Sequence, residues 1–454
     1  MEKKKIGLGG CILLGIGAIV GAGIFGTLPA VINSVGTGII YALIGAAIVI
    51  IFRSFVMAYL GAALPTSGAS FMYCAKLVHP YVGILTAISN ILMPTMISLF
   101  GILFATYFSV LFPNTGLSET VISVLMICVF AAMAWFGSKA IVSVNNLIVI
   151  LLMVAVGLFV ILGLPHIDSG NISFMSVVKP GVGITSISAA IGVLTSSLSG
   201  ASSVMEIADD VKNPGKNVPL TLILCPVIVA VIYILMAIVT IGVVPAAEVS
   251  TLSEVASRFM SPALVTFFIV GGPIAGVITS LVPVLLACVA LVENSAKQGF
   301  LPELFTRKNK HGVAWVTLIL VTAIAVVICA TGATFGTVMT VFSLANTLPC
   351  IPMMLAPFKA LKLYPKCCSH STLKMNSVLV KIISVATCIV MAYLCWQMIV
   401  TLDAVSAGVT IGTVVVGYVY VFIRAKCLKS KGVDIIGEMA AQLPAWQERE
   451  NSYE

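Results

Sequence analysis

Apolar and polar positions alternate on a long scale along this chain. Predominantly apolar runs of membrane-crossing length are each closed by a short cluster of Gly, Pro or charged residues. A bilayer-crossing helix needs about 20 mostly apolar residues. Breaking the chain at its polar clusters predicts twelve, over 11–33, 38–63, 82–112, 119–137, 141–164, 183–208, 217–244, 262–296, 313–331, 335–358, 377–399 and 404–425. The pattern predicts an all-α integral membrane fold, a single polytopic domain over 1–454, with no soluble domain in any loop.

Composition excludes the alternatives. Of 454 residues 60% are hydrophobic and 9% charged, where soluble domains carry about 25% charged residues. A water-facing surface cannot be built from that, so soluble enzymes, disordered regulators and disulfide scaffolds are ruled out. No loop holds a GxxxxGK[ST] phosphate loop, which argues against an ATP-driven pump. A secondary transporter, a channel and a membrane enzyme remain.

The net charge of +8 does not point to nucleic acid, because the basic residues sit in the breaks between spans. The N-terminal MEKKK is too short, and too directly joined to a retained helix, for a cleaved signal peptide. With that end inside the cell and twelve crossings, all of the 24 Lys and Arg residues except Arg53, Lys179 and Arg258 fall on the cytoplasmic side. A missed span would invert every later loop, so this asymmetry supports twelve spans, cytoplasmic termini and a plasma-membrane location. The twelve Cys, among them Cys128, Cys225, Cys288 and Cys329, lie mostly inside apolar runs without a CxxC pair, and read as packed thiols. Cys367 and Cys368 fall in a cytosolic loop, where a structural disulfide is not expected. The four His lie at span ends or in loops with no acid–base or metal cluster, so neither an enzyme nor a cofactor or metal is expected.

Two spans look interrupted. The first contains GIGAIVGAGIFG, five glycines from Gly15 to Gly26. Gly17 and Gly21 form a GxxxG that would pack helices closely. Gly21 and Gly23, flanking Ala22, also free the backbone for non-helical angles. The sixth span holds TSSLSGASS from Thr195 to Ser203. Such hydroxyls can bond back to carbonyls one turn earlier, or offer an unwound segment to a ligand. Interruptions five spans apart match an inverted repeat of five plus five helices whose first helices face each other at mid-membrane. N–H groups at Ala22, Gly23 and Ile24 would then suit a carboxylate, and carbonyls of Ile19, Ser196 and Ser199 an ammonium.

GAIVGAGIFG, PTSGASFMY (Pro65 to Tyr73), ADDVKNPGKNVP (Ala208 to Pro219) and AKQGFLPELF (Ala296 to Phe305) together resemble the amino acid-polyamine-organocation superfamily of permeases, with VKNPxxNVP the most specific block. The resemblance runs in order from Gly17 to Phe305; the remaining helices agree in count. It implies the leucine-transporter fold: a first repeat over about 6–164, a second over 183–358, two extra helices over 377–425 and a cytosolic tail over 426–454. It also implies a central site for an amino acid substrate, with the carboxylate turn on Ala22, Gly23 and Ile24 and the ammonium carbonyls on Ile19, Ser196 and Ser199. Ser202 stands where some arginine or polyamine exchangers carry an acid, so a neutral substrate is favoured over a basic amino acid or polyamine. Val284 matches a position that faces the substrate side chain.

The coupling ion is left open. Near Leu151 and Leu152 this chain lacks the Lys that replaces sodium in several relatives, and Lys139 reads as a snorkelling anchor. Thr279 and Ser280 with carbonyls of Gly17 and Val20 form the candidate sodium site; a proton and uncoupled exchange are the alternatives. Arg53, inside an apolar span, is a gate or path candidate, or else is paired to carbonyls of a neighbouring helix. Asn90, beside the Met93–Pro94 kink, and Glu206, with Asp209 and Asp210 near Lys212 and Lys216, are further gate or path candidates. The expected function is secondary amino acid transport by alternating access, as uniport, exchange or symport. A channel or a non-transporting nutrient sensor on the same fold is the alternative; the interrupted spans argue against an open pore.

Overall fold

The computed structural model describes residues 5–20, 23–66, 68–136, 142–171, 183–206, 208, 211–441 and 443–452, with positions 142–147, 206 and 279 described by backbone only. Among these the chain is helical, with two isolated bridges, Ile6 with Val211 and Lys308 with Ala314. Among the described residues nine helical stretches are long and apolar enough to cross a membrane. One of them, Leu8–Ala63, holds two crossings, and the 16-residue helices Glu119–Ala134 and Trp315–Ala330 supply two more. At 1.5 Å per residue these two short helices rise about 24 Å.

In chain order the spans are: span 1, Leu8–Val20 and Gly23–Val35; span 2, Ile39–Ala63; span 3, Pro80–Leu92 and Thr95–Leu111; span 4, Glu119–Ala134; span 5, Val142–Gly163; span 6, Ile184–Ser197, the 3₁₀ turn Leu198–Ala201 and Ser202–Glu206. There follow span 7, Pro214–Val243; span 8, Pro262–Ile269, the π-turn Val270–Ile274 and Ala275–Lys297; span 9, Trp315–Ala330; span 10, Phe335–Thr347, Cys350–Met353 and Ala356–Leu363; span 11, Ser377–Thr401; and span 12, Ala404–Lys429.

The interruptions have local causes. Met93–Pro94 divides span 3 as the sequence predicts. Its counterpart in the second half, span 8, carries a π-turn at Val270–Gly271–Gly272–Pro273–Ile274. A Cβ on Gly272 would stand 2.9 Å from the Phe25 ring, so glycine admits that ring. Phe25 then meets Phe268 and Tyr107 edge-on. Within span 1, Pro29 has no N–H to give the Phe25 carbonyl one turn earlier; the Tyr107 hydroxyl donates to it instead at 3.1 Å.

Three sequence readings change. The interval before span 3 holds further helix, Ala69–Met72 and the π-helical Tyr73–Val78. Span 10, read as continuous, is interrupted around Pro349 and again before Ala356. Cys128 is exposed on span 4, whereas Cys11, Cys225, Cys288 and Cys329 are buried as expected. The tail also folds, into Ile435–Ala440 and Pro444–Asn451, and docks against the helical segment before span 3, the start of span 7 and the short helix after span 10.

Candidate functional site

The site is built where spans 1, 6, 2 and 10 converge. Span 6 tightens into a 3₁₀ turn over Leu198–Ala201, the centre of the predicted hydroxyl run. A Cβ on Gly200 would lie 2.5 Å from the Ala18 carbonyl oxygen and 2.8 Å from the Ile19 nitrogen. Only glycine lets these two backbones touch there. The sixth span therefore meets the first at Ala18 and Ile19, just before the interval where the sequence predicts the break.

The glycines of span 1 do different work. Gly15 packs against Cys225 and Thr221, Gly17 against Val149 of span 5, and Gly26 against Phe335. A Cβ on Gly23, by contrast, would meet nothing within 4 Å. Gly21 and Ala22, on which the predicted break and part of the carboxylate turn fall, lie outside the described residues. Gly23 and Ile24 are the first described residues after that interval and lie in the helix that runs on to Val35. Ile24 and Val20 are buried. The Ile19 carbonyl accepts the Tyr233 hydroxyl of span 7 at 3.0 Å.

The hydroxyls of span 6 divide in the same way. Thr195, Ser197, Ser202 and Ser203 bond back to the carbonyls of Ile191, Val193, Ser199 and Gly200. Ser196 instead crosses to span 10, donating to the Ser343 carbonyl at 3.2 Å and lying 3.3 Å from the Thr347 hydroxyl. Ser199 does both, donating to the Ser196 carbonyl at 2.6 Å and to the Asn346 amide oxygen at 3.3 Å.

Asn346 is the hinge of the cluster. Its amide oxygen also receives Nη1 of Arg53 at 3.5 Å, while Nη2 of Arg53 reaches the Cys350 sulfur at 3.0 Å. Arg53 is 2% exposed, and its Nε has no partner. Among the described residues no ion pair reaches it. Its partners are thus a neutral amide and a thiol rather than the helix carbonyls named as one alternative above. A mid-membrane arginine costs about 2.5–3.5 kcal/mol on insertion scales, and long bonds to neutral acceptors offset little of that.

The remaining candidates are more dispersed. Val284 is half-buried against the core in span 8. Gly17 faces Val149, nothing described links it or Val20 to Ser280, and Thr279 is described by backbone only. Asn90 is half-buried and its carbonyl takes the Met93 N–H at 3.3 Å, at the kink of span 3. Glu206 ends span 6 with its side chain outside the described residues, as are Asp209, Asp210 and Lys139. Sequence reasoning missed Asn346, Ser343, Thr347, Tyr233 and Tyr107. The available signal was SLANTLPCIP, a lone amide inside an apolar span just before two prolines. Among the described residues no group of His, Cys, Asp or Glu could hold a metal ion.

A multi-pass bundle in which the 3₁₀ turn of span 6 touches span 1, with polar groups turned inward, is the architecture of a membrane transporter. The family model for amino acid permeases matches residues 6–421, and the chain belongs to that family; its fold is the leucine-transporter fold, two inverted five-helix repeats plus two helices. The chain is 26% identical to a methylthioribose transporter of Bacillus subtilis over 342 residues, covering 69% of this chain and 72% of that one. It is 27% identical to an aspartate-proton symporter of the same organism over 256 residues, 54% of this chain and 48% of the other. A Bacillus subtilis serine/threonine exchanger is 26% identical over 288 residues, 62% of this chain and 64% of its own length.

Proposed function

We propose that the protein is a secondary transporter that carries amino acids across the plasma membrane by alternating access, with its termini in the cytoplasm. The observation that carries this reading is the backbone contact of Gly200 with Ala18 and Ile19, beside the open space at Gly23. The N–H groups that open the second half of span 1 attract a carboxylate, reinforced by the positive end of the helix dipole. The carbonyls of Ser196 and Ser199 face the ammonium. Hydroxyls of Ser199 and Ser202 and backbone N–H groups of Leu198 and Ser202 satisfy these carbonyls before substrate arrives, so the ammonium takes the place of one of those donors. Ser202, bonded within its own turn, brings no negative charge, so a cationic side chain finds no counter-ion. That supports substrates with neutral side chains over basic amino acids and polyamines.

Purified protein in liposomes tests the reading, by uptake of neutral, acidic and basic amino acids with and without preloaded exchange substrate, a sodium gradient or a proton gradient. The gradients separate uniport, exchange and symport. No substrate-dependent flux under any of them would sink transport. Gly23→Val places its Cβ where nothing lies within 4 Å. It should lower apparent affinity at least about tenfold, the equivalent of roughly 1.4 kcal/mol, while the protein inserts and melts as before. Unchanged affinity would place the carboxylate elsewhere.

A further inference from the structure

Arg53 is the cation that the transport reading leaves unused. A guanidinium carries five N–H donors in a rigid fork matched to a carboxylate. Here two are engaged, one to the Asn346 amide oxygen at 3.5 Å and one to the Cys350 sulfur at 3.0 Å, and Nε has no partner. The side chain is 2% exposed, so water does not substitute. The Asn346 oxygen accepts from both Arg53 and Ser199. It occupies the position that an anionic oxygen bridging the two would take, with the shape of a carboxylate arm but not its charge.

We infer that Arg53 is the receptor for a carboxylate on the substrate's side chain, so that the transported class includes dicarboxylic amino acids. The inference rests on the transporter reading and deepens it, because a pocket without a fixed negative charge excludes cationic side chains and admits anionic ones. The reach is right. Arg53 and the Ser199 hydroxyl converge on one oxygen and are therefore at most about 7 Å apart. An amino acid held by its ammonium at the Ser196 and Ser199 carbonyls extends by roughly 1.5 Å with each further carbon–carbon bond. A side-chain carboxylate displaces the Asn346 oxygen from Arg53, pairs with Nε and an Nη, and leaves Asn346 to Ser199.

The test compares aspartate with asparagine, its neutral isostere, in proteoliposomes. The wild type should take up aspartate, and Arg53→Gln should lower the aspartate-to-asparagine uptake ratio at least about tenfold, as expected for loss of a charge-assisted pair. Arg53→Lys should restore part of that ratio. Asn346→Asp, which supplies an internal carboxylate to Arg53, should lower the same ratio and raise the melting temperature, and it serves where Arg53→Gln does not fold. A ratio unchanged in both Arg53→Gln and Asn346→Asp overturns the inference. Uptake of neutral amino acids with no aspartate uptake overturns it and leaves the transporter standing, and neutral uptake that requires chloride would assign Arg53 to a free anion. No amino acid flux at all overturns the transporter reading and this inference with it.

Discussion

Two places in the fold handle charge in opposite ways: Arg53 in the middle of the bundle, and the dock of the tail helix Pro444–Asn451. In the tail, both carboxylate oxygens of Glu450 accept backbone N–H groups, from Lys366 and Cys367, at 2.8 Å each. Lys76, in the helical segment before span 3, donates to the Ala441 carbonyl at 2.7 Å. Trp446, 2% exposed, stands between Tyr73 and Tyr364, with ring centroids 5.9 and 5.8 Å away. Glu450 and Lys76 thus find partners within the dock, while Nε of Arg449 has none. Arg53 has a neutral amide and a thiol. A charge provided with partners holds parts together, whereas a buried charge with no counter-ion among the described residues is open to one from a ligand.

If that contrast holds, breaking the tail costs stability and breaking the centre costs selectivity. The largest stability effect is expected at Trp446→Ala. It removes a buried aromatic shared by the segment before span 3 and the end of span 10, a change that typically costs about 3–5 kcal/mol. Thermal unfolding in detergent should show a clear fall in midpoint, with the aspartate-to-asparagine ratio unchanged. A variant that melts like the wild type would show that the tail rests on the bundle without clasping it.

How much of this was legible beforehand can be judged residue by residue. Span number, the kink at Met93–Pro94 and the tightening of span 6 around Gly200 are local: runs of apolar residues, a proline and a cluster of hydroxyls announce them. The interruption of span 10 has its own signal in Pro349, Pro352 and Pro357, yet proline does not oblige a membrane helix to break, because neighbours can satisfy the carbonyl it frees. Tyr107 does that for Phe25 beside Pro29, where the helix continues. The glycines of span 1 look alike in sequence and differ only in what stands opposite them: Cys225 and Thr221, Val149 or Phe335 for three, open space for Gly23. Likewise nothing local distinguishes Ser196, which crosses to span 10, from Ser197, which bonds to its own helix. That choice is made by packing. The tail was legible as polar and illegible as docked, since Trp446 gains its place only from Tyr73 and Tyr364.

A smaller change sharpens the central half of the comparison. Tyr233→Phe removes the hydroxyl that holds the Ile19 carbonyl across from span 7. Loss of one buried hydrogen bond of this kind costs about 0.5–1.5 kcal/mol, so the melting point should fall slightly. Because that carbonyl is a candidate for the substrate ammonium, apparent affinity should shift for every amino acid alike, unlike the charge-selective effect at Arg53. A loss confined to aspartate would move the ammonium site away from Ile19.

The smallest effect is chemical and tests whether the tail stays docked. Burial, followed by the hydrogen bond to the Glu450 carboxylate, pushes the Cys367 thiol up to about 12. Below that pH the sulfur keeps its proton, and the thiolate is the reactive form. Near neutral pH Cys367 should therefore resist maleimide, while the exposed Cys427, near the end of span 12, offers an open thiol on the same chain. Ending the chain after Ala441 removes both the carboxylate and the cover, so Cys367 should label faster and at lower pH than in the full chain, as read by peptide mass analysis. Equal labelling in the full and shortened chains would mean that the tail leaves its dock on the timescale of the reaction. The clasp would then be a transient contact, and the difference between the two charged regions would be one of position alone.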